Sequence, residues 1–171
     1  PPLGESSMLW RRYGDLTPPV AVVAPAYNEE KSIVGSVRSL LSIQYPSLEV
    51  IVVNDGSKDA TLKNLIDAFG LAPVDRPFEP AIKHRPIYGL YASPKYPQLL
   101  VIDKENGRGK ADAMNAGISL SRAPLICAID ADSLIEPDAL MRAVRPFVDD
   151  PERTIAVGGT IRIANGCKIS G

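Results

Sequence analysis

The sequence is poor in the side chains from which metal centres are commonly built. It holds one histidine, His84, and two cysteines, Cys127 and Cys167. Two cysteines cannot form a zinc site without further ligands, so a zinc centre is disfavoured. Cys127 falls in an apolar run, where a free thiol behaves as a small hydrophobic side chain. This cysteine usage is typical of a reducing compartment.

Strong charge and long hydrophobic runs are also missing. The formal net charge is -1, which gives no case for a nucleic-acid partner. No stretch reaches the roughly 18 consecutive apolar residues of a membrane span, and no signal peptide is recognisable. The 171 residues, of which 45% are hydrophobic and 23% charged, are typical of one soluble globular domain with a real core.

The first residues differ in composition from the rest. Residues 1–19 are irregular, and we interpret them as a leader to a domain over residues 20–171. Aromatic and basic side chains at 10–13 are compatible with a juxtamembrane anchor, because such residues favour the membrane interface. An exposed leader is the alternative. Since a natural chain does not start with proline, we expect the sequence to be part of a longer protein.

Apolar runs of strand length alternate with segments of helical period, which predicts an α/β fold with a mostly parallel sheet and helices on both faces. Residues 71–97 interrupt this order, since they are rich in proline and show no clear period. We interpret them as a surface excursion that carries a solvated His84. The predicted strands are 20–24, 48–53, 99–102, a run from 125, 154–157 and 160–164, and the predicted helices are 29–42, 61–69, 111–120 and one that opens at Pro137.

The apolar run that begins at Leu125 ends in Asp130-Ala131-Asp132. We interpret the run as a buried strand and the aspartates as lying where the strand gives way to loop. Open α/β sheets bind ligands at the carboxyl ends of their strands. Two carboxylates there suit Mg²⁺, which takes one or two carboxylates, several waters and substrate phosphates. A solvated turn is the alternative, because aspartate and serine are common turn residues.

Three more polar clusters accompany predicted elements, at 25–30, 54–59 and 106–112. The third opens a helix, where glycines and basic side chains could meet a phosphate group. In a doubly wound sheet the clusters share one edge. Asp55, Asp130 and Asp132 would repel one another there unless a cation balanced them, which indicates a metal and a nucleotide diphosphate. Neither the P-loop spacing nor the dinucleotide fingerprint is present.

With four motifs in this order, the sequence resembles the family 2 glycosyltransferases of GT-A fold from about residue 20 to residue 163. Residues 25–30 look like the first motif of the family, which contacts the nucleobase and ribose, and 52–57 look like the second, whose aspartate contacts uracil. Residues 106–117 look like the third, which lies near the donor diphosphate and sugar. Residues 128–133 look like the metal-binding D-x-D.

The resemblance implies a UDP-sugar donor, Mg²⁺ or Mn²⁺ as cofactor, and inverting transfer to a saccharide acceptor. It implies that Asp132 and Asp130 bind the metal, while Lys110 lies near the diphosphate and Asp55 and Glu29 hold the nucleoside. The full set implied in nucleotide-sugar binding is Pro25, Ala26, Tyr27, Glu29, Asp55, Gly109, Lys110, Asp130 and Ala131.

The resemblance is closest to the cytosolic domains of membrane-embedded members that make polysaccharides. We therefore expect a longer, membrane-embedded parent protein whose domain lies at the cytosolic face. The sequence departs from the family after the D-x-D, because it has no Glu-Asp dipeptide and its only tryptophan, Trp10, excludes a Q-x-x-R-W motif. The acceptor half and a recognisable catalytic base are thus missing, and inverting transfer needs such a base. We expect donor binding without useful transfer, and self-association through uncovered apolar surface.

Two other functions remain open from the residues. One is a non-catalytic nucleotide-binding or interaction module, which the missing acceptor half favours. The other is a phosphatase of the haloacid-dehalogenase type, in which the first aspartate of a D-x-D after an apolar strand is the nucleophile. The D-x-D of those enzymes usually comes early in the chain, whereas Asp130 comes late in this one.

Overall fold

The computed structural model describes residues 17–80, 82–130, 133 and 135–159, so the leader, Ala131, Asp132 and the predicted strand at 160–164 lie outside the described residues. Strands and helices alternate along the described chain, except where β3, β4 and β5 follow one another. The elements are β1 (Val20–Ala26), α1 (Ile33–Leu41), β2 (Leu48–Asp55), α2 (Thr61–Phe69), β3 (Ala72–Pro73), β4 (Ile87–Ser93), β5 (Tyr96–Lys104), α3 (Lys110–Leu120), β6 (Leu125–Ala128) and α4 (Ala139–Asp149).

The strands form one sheet in the order β3-β4-β5-β2-β1-β6. The four strands β5, β2, β1 and β6 are parallel, whereas β4 runs antiparallel to β5 and β3 antiparallel to β4. Ala26 lies opposite Asn54, and Asn54 lies opposite Asp103, so β1, β2 and β5 end at the same edge. We refer to this edge as the carboxyl edge. The predicted mostly parallel α/β sheet is confirmed.

The two faces of the sheet pack against different helices, because alternate residues of a strand point to opposite faces. Val22 and Val52 lie on one face, in a buried cluster that includes side chains of α1, α2 and α4. Val23 and Ile102 lie on the other face, in a cluster with side chains of α3. Helices therefore cover both faces, as predicted, and the strand ends are free to carry a site at the carboxyl edge.

The prediction of a surface excursion over 71–97 is wrong in part. The segment contains β3 and β4, and β5 begins within it at Tyr96. The pairing of β4 with β5 shifts register between Ile87 and Gly89 and again between Ala92 and Ser93. Such irregularities break the alternation of side chains from which a strand is recognised in a sequence. Residues 74–80 and 82–86 are irregular, as predicted.

Three other predictions are corrected. The helix predicted from Glu29 begins only at Ile33. The strand from Leu125 is not fully buried, because β6 is an edge strand of the described sheet and Ile126 keeps 37% of its surface exposed. Residues 154–157 form no strand, and Ile155 is 93% exposed. In the part of the chain that the structure describes, no helix combines the length and apolar character that a membrane crossing requires.

Candidate functional site

The loops that follow β1 and β2 are held together by hydrogen bonds at the carboxyl edge. Three backbone N–H groups of the first loop donate to side chains of the second loop or of the helix residue that follows it: Asn28 to Ser57 Oγ at 3.0 Å, Glu30 to Asp59 Oδ2 at 3.1 Å, and Glu29 to Thr61 Oγ1 at 2.8 Å. These N–H groups therefore have partners outside their own loop. The two loops form one unit although they are about 30 residues apart in the sequence.

Backbone N–H groups of the second loop also donate hydrogen bonds to side chains of the first loop. The backbone N–H groups of Lys58 and Ala60 donate to Asn28 Oδ1 at 2.8 Å and to Glu30 Oε2 at 3.0 Å. Asn28 has a φ of 55°, a left-handed conformation that asparagine tolerates better than most residues. The backbone N–H and the side-chain oxygen of Asn28 both take part in these hydrogen bonds, so the loop after β1 is held in place ahead of α1.

Asp55 ends β2 and is nearly buried, with 8% of its side chain exposed. Its Oδ1 accepts hydrogen bonds from Lys104 Nζ at 2.6 Å and from the backbone N–H of Gly107 at 3.1 Å. Its backbone carbonyl accepts a hydrogen bond from Asn106 Nδ2 at 2.7 Å. The second and third motifs are therefore in direct contact at the end of β2.

Lys104 ends β5 and lies between two aspartates. Its Nζ is 2.6 Å from Asp55 Oδ1 and 2.6 Å from Asp112 Oδ2, and it also donates to the carbonyl of Glu105. Partial burial acts to raise the pKa of Asp112, but the hydrogen bond and positive charge of Lys104 and the hydrogen bond from the Arg85 N–H outweigh it. The pKa of Asp112 is thus lowered from its ordinary value of 3.8.

The turn after β2 is shaped by a glycine. Gly56 has a φ of 65°, and a Cβ atom there would lie 2.7 Å from the backbone nitrogen of Asn106. Only glycine combines this left-handed conformation with so close an approach. The absence of a side chain at this position lets the loop before α3 lie directly against the turn after β2, which brings the third motif to the carboxyl edge.

A cavity of about 370 Å³ opens at this edge, between the loops after β1, β2 and β5 and the end of β6. All of the predicted nucleotide-sugar residues that the structure describes contribute to its wall. Ala131 and Asp132 lie outside the described residues. The lining residues are Pro25, Ala26, Tyr27, Glu29, Asp55, Asn106, Arg108, Gly109, Lys110, Ala113 and Asp130.

Four residues of the site were not singled out from the sequence. Asn106, Arg108 and Ala113 line the cavity, and Lys104 lies beneath Asp55. The first three fall in or beside the third motif, so motif membership is a signal that could have found them. Lys104 carries only the weak signal of a charged residue that follows the apolar run at the end of β5.

Lys110 and Asp130 form an ion pair at the rim of the cavity, with 52% and 57% of their side chains exposed. The positively charged ammonium group of Lys110 thus already lies beside the Asp130 carboxylate. Among the described residues, no three His, Cys, Asp or Glu side chains are grouped closely enough to hold a metal by themselves. A carboxylate at a cavity fits Mg²⁺ or Mn²⁺ only if other oxygens, such as those of a substrate diphosphate, complete the coordination.

The chain matches a known protein family and several curated proteins. Residues 21–168 match the family described as Glycosyl transferase family 2. The probable glycosyltransferase YdaM of Bacillus subtilis is 32% identical over 164 residues, which are 93% of this chain and 33% of the relative. A poly-beta-1,6-N-acetyl-D-glucosamine synthase of Staphylococcus epidermidis is 29% identical over 152 residues, 89% of this chain and 31% of the relative. The chain spans about a third of the length of these curated relatives.

Solved structures show the same fold. A mannosyltransferase from Pyrobaculum calidifontis, in complex with GDP-Man and Mn²⁺, aligns with a TM-score of 0.59 at 23% identity and covers 86% of this chain and 39% of that one. Residues 1–349 of S. aureus TarS, in complex with UDP-GlcNAc, align with a TM-score of 0.56 at 22% identity and cover 77% and 31%. The GT-A fold expected from the resemblance is confirmed. Because the family match covers residues 21–168, the chain belongs to glycosyl transferase family 2.

Proposed function

We propose that this chain is the donor-binding part of a glycosyltransferase and that its cavity takes a nucleotide diphosphate sugar, with a UDP-sugar as the favoured donor. The observation that carries the proposal is the convergence of four segments, distant in the sequence, on one cavity of about 370 Å³. Such a volume falls in the range of small-molecule sites. The complexes of similar structures with UDP-GlcNAc and with GDP-Man support a nucleotide sugar in general.

The nucleoside end of the ligand is assigned to the loops after β1 and β2. Asp55 offers a carboxylate oxygen to the uracil N–H from a nearly buried position. Tyr27 lines the cavity with 47% of its surface exposed, so its ring is available to stack on a base. Glu29 lies in the same wall, and its Oε2 accepts a hydrogen bond from Ser32 Oγ at 2.6 Å. The remaining oxygen of Glu29 suits a ribose hydroxyl.

The diphosphate end is assigned to the start of α3. Arg108 and Lys110 add two positive charges to the cavity wall, and Gly109 precedes the first helical residue. Backbone N–H groups at a helix start and the helix dipole also favour an anion. On binding of the diphosphate, Lys110 would exchange its contact with Asp130 for one with the phosphate oxygens. Asp130 would then be free for the sugar, the ribose or a metal.

Asp130 and Asp132 are the proposed metal ligands, with Mg²⁺ or Mn²⁺ as the ion. When bound, the metal would supply Lewis-acid stabilisation of the departing nucleotide diphosphate. The Mn²⁺ complex of the mannosyltransferase of similar fold supports a divalent metal in general. The residues of this chain contribute the oxygen ligands and place the donor phosphates beside them.

The acceptor is proposed from a relative: the S. epidermidis synthase is named for a polysaccharide, so we propose a saccharide acceptor. A parent protein associated with a membrane, with this domain on its cytosolic side, is proposed from the family resemblance of the motifs. We assign no catalytic base, because no Glu-Asp dipeptide is present in the sequence. The stereochemical outcome expected from the resemblance is inversion at the anomeric carbon of the transferred sugar.

Calorimetry tests the donor site directly. UDP, UDP-sugars and GDP are titrated into the chain with and without Mn²⁺. We expect UDP to bind, and Mn²⁺ to strengthen the binding of UDP while leaving that of uridine unchanged. Binding of GDP alone would move the proposal to a different donor class. No binding of any nucleotide would remove both this proposal and the nucleotide-binding form of the alternative below.

A non-catalytic nucleotide-binding module is the second candidate. One observation favours it, which is the absence of a recognisable base from the sequence. A longer protein that contains this chain and transfers no sugar would distinguish this candidate from a glycosyltransferase. The phosphatase hypothesis has no support from the family match.

A further inference from the structure

Lys104 is a charged side chain with no exposed surface, and it contacts Asp55, a residue of the cavity wall. A buried ammonium group is costly unless it is paired and hydrogen-bonded. Its partners are Asp55, Asp112 and the backbone carbonyl of Glu105. An ammonium group has three N–H donors, and three partners use all of them. Lys104 therefore has no donor left to bind a ligand itself.

Among the described residues, hydrogen-bond donors reach only one oxygen of the Asp55 carboxylate. The hydrogen bonds that it accepts from Lys104 and from the N–H of Gly107 both end on Oδ1. Asp55 lines the cavity, whereas Lys104 does not. The Oδ2 atom is thus the oxygen that remains for a ligand N–H, and the direction in which it points depends on the bonds to Oδ1.

The ammonium group of Lys104 is also held by a second carboxylate. Asp112, in the first turn of α3, accepts the second contact of its ammonium group at 2.6 Å. Asp112 also accepts hydrogen bonds from the backbone N–H of Arg85 at 3.0 and 3.3 Å. The ammonium group consequently has a fixed position between β2, β5 and α3.

We propose that Lys104 is a positioning residue for nucleobase recognition: it fixes the carboxylate of Asp55 so that Oδ2 can accept a hydrogen bond from the base. The inference rests on the proposed function, because it assigns the base to Asp55. An ion pair that served only to stabilise the fold would not distinguish between the two ends of the ligand. A positioning residue acts on the nucleoside end alone.

The test compares Lys104→Met with the wild-type chain. Methionine keeps much of the unbranched apolar stem but removes the charge and all three donors. Calorimetry with uridine, UDP, and pyrophosphate with Mn²⁺ then separates the two ends of the ligand. We expect about tenfold weaker binding of both uridine and UDP, since hydrogen bonds to charged groups have effects of that order. Pyrophosphate binding should change less than twofold. Equal UDP affinity, or an equal loss for pyrophosphate, would overturn the proposal.

A double-mutant cycle tests whether the effect passes through Asp55. In an Asp55→Asn background, Lys104→Met should weaken UDP binding less than twofold. The same tenfold loss in both backgrounds would contradict a positioning role. Lys63→Met is the matched control, because Lys63 is 74% exposed in its side chain and pairs with Asp67 on the surface of α2.

If Lys104→Met does not fold, Asp112→Asn gives a milder form of the same test. It leaves Lys104 paired with Asp55 but removes the charge on its other side. We expect severalfold weaker binding of uridine and of UDP, with pyrophosphate binding changed less than twofold, and an unchanged affinity for uridine would overturn the proposal. Wild-type chain that binds no uridine nucleotide would overturn both this inference and the proposed function. If the wild-type chain binds uridine and UDP and Lys104→Met binds them with the same affinity, only the positioning role of Lys104 is overturned.

Discussion

The backbone of Gly117 in α3 lies so close to Val23 in β1 that an added Cβ would be 2.4 Å from Val23 Cγ1. Val23 is fully buried and branched at Cβ, so it has little freedom to move away. This contact sets the distance between α3 and the sheet, and α3 carries Lys110 into the cavity.

Gly117→Ala should therefore destabilise the chain, although alanine is the better helix former. Overpacking costs about 1–3 kcal/mol, against a gain of up to about 1 kcal/mol from helix propensity. We expect the free energy of unfolding, measured in urea, to fall by about 1 kcal/mol. Gly35→Ala in α1 is the matched control, because nothing lies within 4 Å of the added Cβ. It should be neutral or stabilising, and a stabilised Gly117→Ala would show that α3 can move without cost.

The charge on Asp112 should appear in the pH dependence of stability. Because its pKa is lowered in the folded chain, its contribution is fully present above the ordinary value of 3.8 and is lost as pH falls through the folded value. Asp112→Asn should lower the free energy of unfolding near neutral pH and flatten its decline below about pH 4. Urea unfolding at a series of pH values measures both effects.

Asp67→Asn is the control for that experiment, because it removes a carboxylate that is 60% exposed in a surface pair with Lys63. Exposed pairs of this kind contribute about 0–1 kcal/mol. If Asp112→Asn and Asp67→Asn gave the same pH profile, the contact between Lys104 and Asp112 would not matter for stability.

Asp132→Asn should abolish the effect of metal on UDP binding. The amide keeps the shape of the side chain but lacks the anionic oxygen that a hard cation prefers. Calorimetry with and without Mn²⁺ measures the change, and chelation with EDTA should make the wild-type chain resemble the variant. Uridine binding should stay the same, because uridine has no phosphate. A variant whose UDP affinity still rises with Mn²⁺ would place the metal on other residues.

The 171-residue chain should bind a UDP-sugar without transferring it at a useful rate. General-base catalysis contributes roughly 10²–10⁴-fold, and no base is recognisable in the sequence. Incubation with a radiolabelled UDP-sugar and a panel of oligosaccharides tests this, with sedimentation to follow the predicted self-association. Polymer in that assay would mean that a base exists among the residues that we assign to structure. Slow release of free sugar is compatible with the prediction.

The sequence by itself determined the strands at the centre of the sheet and most residues of the cavity wall. Residues 20–24 of β1 and 50–53 of β2 are continuous apolar runs, and burial in a parallel sheet produces that pattern. Because parallel strands end at one edge, the polar residues that follow them had to meet. Tyr27, Asp55, Lys110 and Asp130 accordingly line one cavity.

Only the tertiary structure decided how these residues are held. Glu30 is acidic and precedes a helix, which in sequence favours the first helical turn, yet its carboxylate accepts the N–H of Ala60 in another loop. Lys104 ends a strand, where the sequence favours an exposed lysine, yet it is buried between Asp55 and Asp112. Periodicity reports which side of an element faces the core, because burial repeats along the chain. A hydrogen bond between loops, or an ion pair between the ends of two strands and a helix, depends on distances in space that no local pattern records.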